Sequence, residues 1–170
     1  MPISFANVND VFPLVALMDS AYRGEGSKQG WTSEAHLLLG NKRTDEETVR
    51  RLMKEEGAVF LKYHNEENKI EGCVFLKKNE SKLYLGMLCV SPAAQGKGKG
   101  KQLMAAAEEL ARNLNCVSIY MTVISVRHEL IAWYERKGYF KTGEAKPFPV
   151  DERFGIPTQQ LEFVVLEKII

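Results

Sequence analysis

The chain has 170 residues, 45% hydrophobic and 26% charged, and 23 Lys plus Arg against 22 Asp plus Glu leave a net charge of +1. That length suits one domain built on one core, residues 1–170, with no room for a second catalytic unit. The balanced signs exclude an acidic solvating tail and a whole-chain basic field, so capture of nucleic acid or anionic membrane is not expected and any anion site must be local.

The opening MPISFANVND has no basic region ahead of an apolar run, and the longest apolar stretches are too short to span a bilayer. A cytoplasmic protein is expected. Cys73, Cys89 and Cys116 are widely spaced in strand-like surroundings without CxxC or a His at a ligand interval, which points to buried, reduced thiols and to no metal.

Residues 2–6 read as a first strand. From Asn9 to Ala21, Val11, Leu14, Val15, Leu17 and Met18 follow a helical period, with Pro13 in the first turn where a missing N–H is tolerated. Tyr22 to Gly30, with Gly24, Gly26 and Gly30, reads as a loop, and Thr32 or Ser33 can cap a short helix to about Leu39. Thr44 and Glu47 have capping-box spacing ahead of a helix over about Asp45 to Glu56, closed by Gly57.

Three strands follow, Ala58 to Tyr63, Ile70 to Lys77 and Leu83 to Val90, joined by polar turns as an antiparallel meander. In the third, Leu83, Leu85, Met87 and Cys89 alternate with Tyr84, Gly86, Leu88 and Val90, so both faces are apolar and the strand is expected to be covered on both sides. Leu103, Met104, Ala107, Leu110, Ala111 and Leu114 mark one face of a helix from about Gly98 to Asn115. The strand Val117 to Ile124 is reached through that helix and should run parallel to the third, in a right-handed crossover. Arg127 to Lys137 reads as a helix stopped at Gly138, and Tyr139 to Thr142 and Gln160 to Glu167 as two last strands.

The stretch LCVSPAAQGKGKGKQL, Leu88 to Leu103, joins strand to helix through alternating glycines and lysines. Glycines let the backbone approach a ligand, and the first-turn N–H groups of a helix attract a phosphate or pyrophosphate. There is no Gly-Lys-Ser/Thr of a P-loop, and Gly96, Gly98 and Gly100 miss the spacing of GxGxxG.

What the segment matches is [Q/R]-x-x-G-x-[G/A], here Gln95-Gly96-Lys97-Gly98-Lys99-Gly100, after a strand ending Leu-Cys-Val-Ser-Pro. It resembles motif A of bacterial-type members of the GNAT superfamily of acyl-CoA-dependent N-acetyltransferases. Leu130-Ile131-Ala132-Trp133-Tyr134 through Gly138-Tyr139 looks like a second family segment at the right distance, with Leu130 and Trp133 substituting in its pattern. The resemblance implies an α/β (α+β) GNAT fold: a mixed, mostly antiparallel sheet of six to seven strands, a splayed central parallel pair, and helices on both faces. It also implies acetyl-CoA as co-substrate, a small-molecule or peptide amine as acceptor, and direct transfer in a ternary complex. A non-catalytic acyl-CoA-binding or sensing module is the alternative, and a homodimer is left open.

Carried over by residue, the resemblance assigns the backbone N–H groups of Gln95, Gly96, Gly98, Gly100 and Lys101 to the pyrophosphate. Leu88, Cys89 and Val90 would pair with the pantetheine arm like an added strand. Lys97, Lys99 and Lys101 would attract the nucleotide end, or are solvated surface charges. Tyr134 takes the place of the general acid for the leaving thiolate, although periodicity alone reads it as a buried aromatic. Arg127 stands where many members carry an Asn that contacts pantetheine. No Asp or Glu lies on Lys82 to Val90, where several members place a base. Glu34 and His36, beside the loop that borders the acceptor in this family, are the candidates, and Glu34 reads equally as a carboxylate favoured in a first helical turn. The segment Phe148 to Gly155 is expected, by analogy, to help select the acceptor.

Overall fold

A computed structural model describes residues 2–23, 34, 36–40, 42–149 and 151–170. Its elements in chain order are β1 (Ile3–Phe5), α1 (Val11–Tyr22), β2 (Leu38–Leu39), α2 (Glu46–Met53), β3 (Ala58–His64), β4 (Ile70–Asn79), β5 (Lys82–Val90), α3 (Lys99–Asn113), β6 (Ser118–Ile124), α4 (His128–Arg136), β7 (Phe140–Pro147), β8 (Ile156–Pro157) and β9 (Glu162–Ile169). Short 3₁₀ turns precede α1 and α3. The main sheet has seven strands in the order β1-β3-β4-β5-β6-β9-β7, and β2 pairs with β8 beside it.

Every neighbouring pair in the main sheet is antiparallel except β5 with β6. β3, β4 and β5 form the meander expected from their polar turns. The C-terminal strand β9 inserts between β6 and β7, so the last two strands pair with each other but only β9 touches the centre.

Helices cover both faces. On one, Leu103, Met104, Ala107 and Ala111 of α3 and Ile131 and Tyr134 of α4 pack on Val74, Leu76, Leu83, Leu85, Ile119 and Met121. On the other, Val11, Leu14 and Met18 of α1 and Val49 of α2 pack on Phe60, Cys73, Phe75 and Cys89. Burial of this kind stabilises each large side chain by about 1.5–3 kcal/mol, and the period-two alternation of β4 distributes it between the faces.

That alternation breaks in β5. Phe75 pairs with Gly86 but Cys73 with Cys89, so β5 carries one residue more than β4 between these points. Met87 takes up the surplus at φ 53. A bulge of this kind switches the facing of every later residue: Leu83 and Leu85 face α3, whereas beyond the bulge Leu88 and Val90 do so and Cys89 faces α1. The uniform alternation expected across Leu83–Val90 therefore holds only in two halves.

Four further expectations are corrected. The described end of the segment expected to be helical up to Leu39 is a turn at 36–37 followed by strand β2, because Leu38 and Leu39 find backbone partners in Pro157 and Ile156; Thr32 and Ser33 lie outside the described residues, as does most of the loop 22–30. The cap of α2 is Asp45, whose carboxylate accepts from Thr48 N at 2.7 Å, while Thr44 N donates to Asp19. α2 also ends at Met53, before Glu56. Finally, β7 extends to Pro147, well past Thr142.

Candidate active site

Among the described residues, the one parallel contact in the sheet is short. Lys82, Leu83 and Tyr84 of β5 pair with Ser118, Ile119 and Tyr120 of β6, and beyond them the two strands diverge. Two adjoining cavities open in the gap. One, of about 530 Å³, runs past Leu88, Cys89, Val90, Gln95, Gly96 and Gly98 to Trp133. The other, of about 420 Å³, lies toward Arg23, Glu34, Arg43, Tyr84 and Phe148. Tyr22, Leu88, Arg127, Leu130 and Tyr134 line both. A wider recess of about 1130 Å³ lies near the start of β5, where the lining lysines Lys77 and Lys82 are paired with Glu55 and Glu167.

The first cavity ends at the N-terminus of α3. Gly98 is the N-cap at φ 75 and Gly96 stands at φ 82, conformations that cost an L side chain about 1–2 kcal/mol. The N-cap Gly98 supplies no side-chain cap, which leaves the first-turn N–H groups suited to an anionic ligand. Gln95 Nε2 donates to Val90 O at 3.0 Å, which fastens the turn to the end of β5. A Cβ on Gly100 would lie 3.8 Å from Val90 and 3.9 Å from Trp133, the spacing of a cleft already at van der Waals width. Lys99 turns away to an ion pair with Glu71 and lies 5.4 Å over the Tyr63 ring, whereas Lys97 and Lys101 are exposed. The donor set is what a pyrophosphate needs: main-chain N–H groups, glycines and free lysines around a slot.

Tyr134 sits in the wall between the cavities, 5% exposed, its ring edge-on to Trp133 at 5.1 Å and to Tyr139 at 5.9 Å. Burial pushes its phenol above the ordinary range, and Arg127 pulls it partly back. Across the gap the Tyr22 hydroxyl donates to the Leu88 carbonyl, beside the bulge. Tyr22 too is pushed up by burial. Cys73 and Cys89, paired across β4 and β5, bring their sulfurs to 3.7 Å, and both are free thiols.

The second cavity is built around a buried charge cluster. Glu34 takes Arg23 Nε at 2.8 Å and Arg127 Nη1 at 3.4 Å, and all three residues are at least nine-tenths buried. Arg23 also donates to Lys42 O at 3.2 Å and to Phe154 O. It thereby ties the end of α1 to three segments distant in sequence. Gly155 makes room for it: a Cβ there would lie 2.7 Å from Arg23 Nη1. Arg127 begins α4 as its N-cap and lines both cavities.

Of the candidate residues, Tyr134, Leu88, Cys89, Val90, Gln95, Gly96, Gly98, Lys99, Gly100, Lys101 and Arg127 share the first cavity, and Glu34 belongs to the second. Lys97 is exposed on the turn, and His36 is exposed, offering only its carbonyl to Thr158. Tyr22, Arg43 and Tyr84 are not singled out by any motif in the sequence, and Arg23 lies in the 22–30 loop taken there, by resemblance, to border the acceptor. Their role arises from contacts between segments, for which no local spacing exists.

The chain matches the family model described as Acetyltransferase (GNAT) family over residues 19–139. It is 31% identical over 83 residues to Acetyltransferase Atu2258 of Agrobacterium fabrum, a match that spans 49% of this chain and 59% of that protein. Its backbone is similar to the ribosomal-protein-alanine N-acetyltransferase of Brucella melitensis, at 18% identity and a TM-score of 0.72 over 100% of both chains. The ribosomal-protein-S18-alanine N-acetyltransferase of Escherichia coli gives 14% identity and a TM-score of 0.72 over 99% of this chain and 92% of that one. A protein described as a streptothricin acetyltransferase from Bacillus anthracis, solved with acetyl coenzyme A, gives 20% identity and 0.58 over 71% and 67%. At such identities these structures speak for the fold. No helix among the described residues is long and apolar enough to cross a membrane.

Proposed function

Because the chain belongs to the GNAT acetyltransferase family, we propose that it is an acetyl-CoA-dependent N-acetyltransferase in which both reactants meet in the gap between β5 and β6. The observation that carries this reading is the position of Tyr134, in the one wall shared by a slot with a pyrophosphate-type donor set and a second, charged cavity. Bound acetyl-CoA would supply the thioester carbonyl that an amine attacks directly.

The chain's own residues supply the rest. Gly96, Gly98, Gly100 and Lys101 hold the pyrophosphate through the open first turn of α3, with Lys97 adding attraction and Lys99 braced by Glu71. The stretch Leu88 to Val90 runs along the slot where β6 no longer pairs with β5, and as the Leu88 and Val90 carbonyls accept from Tyr22 and Gln95, its main-chain N–H groups are the ones offered to the pantetheine arm. A backbone N–H there stabilises the developing oxyanion, and holding both reactants in the gap lowers the barrier by up to about 7–11 kcal/mol in favourable cases. Tyr134, kept protonated by burial, delivers its proton to the leaving sulfur.

Glu34 has each carboxylate oxygen engaged by a guanidinium. That supports a role as the counter-ion that positions Arg23 and Arg127, with the amine proton passing to water at the cavity mouth. Three free, buried thiols accord with a reducing cytoplasm.

Release of free CoA from acetyl-CoA in the presence of an amine panel tests the reading. Acceleration by an acceptor, lost in Tyr134→Phe, supports it. Tight acetyl-CoA binding with no turnover on any amine would instead favour a binding or sensing module.

A further inference from the structure

Among the described residues that line it, the second cavity carries more positive than negative charge. Arg23, Arg43 and Arg127 stand against Glu34 and Asp151. Asp151 is already taken by Arg153, with Nη2 to Oδ2 at 2.7 Å and Nε to Oδ1 at 3.1 Å. Glu34 is shared between Arg23 and Arg127. Arg43 has no ion pair among the described residues, and its Nε is buried without a hydrogen-bond partner.

Arg43 is nonetheless held in place. Its main-chain N donates to Asp19 Oδ1 at 2.5 Å, and its guanidinium lies 5.1 Å over the Tyr22 ring, at the wall shared with the first cavity. Its field is felt inside: burial draws the Arg23 guanidinium below its ordinary range, Glu34 raises it again, and Arg43 opposes that by like-charge repulsion. A positioned, half-buried guanidinium whose Nε is shielded from water favours an anion, and its planar fork suits a carboxylate. The rest of the lining mixes the hydroxyl-bearing Tyr22, Tyr84, Thr122 and Tyr134 with apolar side chains, among them Leu130 and the tilted pair Phe148 and Phe163, centroids 5.1 Å apart. At about 420 Å³ the space is that of a small molecule.

We propose that the acceptor is a small amino acid, an amine and a carboxylate on one compact body. Its carboxylate is held by Arg43, its amine faces Tyr134, and its side chain lies against Phe148 and Phe163. The inference rests on the acetyltransferase reading and narrows it: peptide N-termini and protein lysines carry no carboxylate beside the reacting amine.

The test is calorimetric titration of the CoA-loaded protein with α-, β- and γ-amino acids and, for each, its carboxamide. At least one amino acid should bind about 10- to 100-fold more tightly than its carboxamide, the equivalent of charged hydrogen bonds. Arg43→Gln should abolish that difference and Arg43→Lys should restore part of it, with the melting temperature of each variant as the folding control. Equal affinity for acid and amide, binding of neither, or a difference unchanged in a folded Arg43→Gln protein overturns the proposal. Failure of the protein to bind acetyl-CoA would sink the enzyme reading itself, and CoA release driven by amides as fast as by acids would leave that reading standing while removing this one.

Discussion

Tyr134 and Glu34 show how burial decides what a residue can do. The phenol is raised well above its usual value of about 10, so it stays a proton donor throughout the neutral and alkaline range. Turnover should therefore rise with pH as the free-amine fraction grows, with no fall below about pH 10 attributable to Tyr134, measured as initial rate against pH. Tyr134→Phe keeps the ring contacts with Trp133 and Tyr139 and should lower kcat by about 10²–10⁴-fold with little change in melting temperature. Glu34 offers the opposite signature. Removing it as Glu34→Ala leaves two buried guanidiniums without their shared carboxylate, and a loss of about 3–5 kcal/mol in denaturant-melt stability is expected. A Glu34→Ala protein of unchanged stability but abolished turnover would instead mark Glu34 as the base.

At the scale of elements, the α3 N-terminus and the β5 bulge make the site. Gly98→Ala forces an L side chain to φ 75 and should destabilise by about 1–2 kcal/mol while weakening acetyl-CoA binding in the same titration. This turn was legible in sequence because glycine at alternate positions between a strand and a helix has few other uses. So were the meander, the two long helices and the parallel crossover, where a run of apolar residues with one period meets a polar turn. The bulge was not legible, since Met87 at φ 53 breaks no rule of composition. β2 was misread as helix because its partner lies in β8, more than a hundred residues on. The charge cluster was hidden for the same reason: Arg23 acquires meaning only when Glu34, Lys42 and Phe154 arrive around it.

Over the whole molecule, four tyrosines, the buried Tyr134 and Tyr139 and the half-buried Tyr22 and Tyr84, are raised by desolvation above the range of an exposed phenol. In the unfolded chain they ionise near pH 10, earlier than in the native state, so above that pH the unfolded form binds fewer protons. Stability present below about pH 10 should then be lost progressively as pH rises beyond it, read as a falling urea midpoint. Acetyl-CoA at about 100 times its dissociation constant should raise stability by about 2.7 kcal/mol, provided it binds only the folded chain.

The three-residue joint between β5 and β6 also bears on how such a protein can change over generations. The glycine-rich turn of the first cavity follows β5, whereas Arg23, Arg43, Phe148 and Gly155, which line the second cavity, come from connecting segments outside the sheet's centre. On the proposed function, substitutions in those connections would alter what is acetylated without disturbing the turn assigned to the acetyl donor. A lineage can thus diversify its acceptors one loop at a time while the donor half is inherited intact.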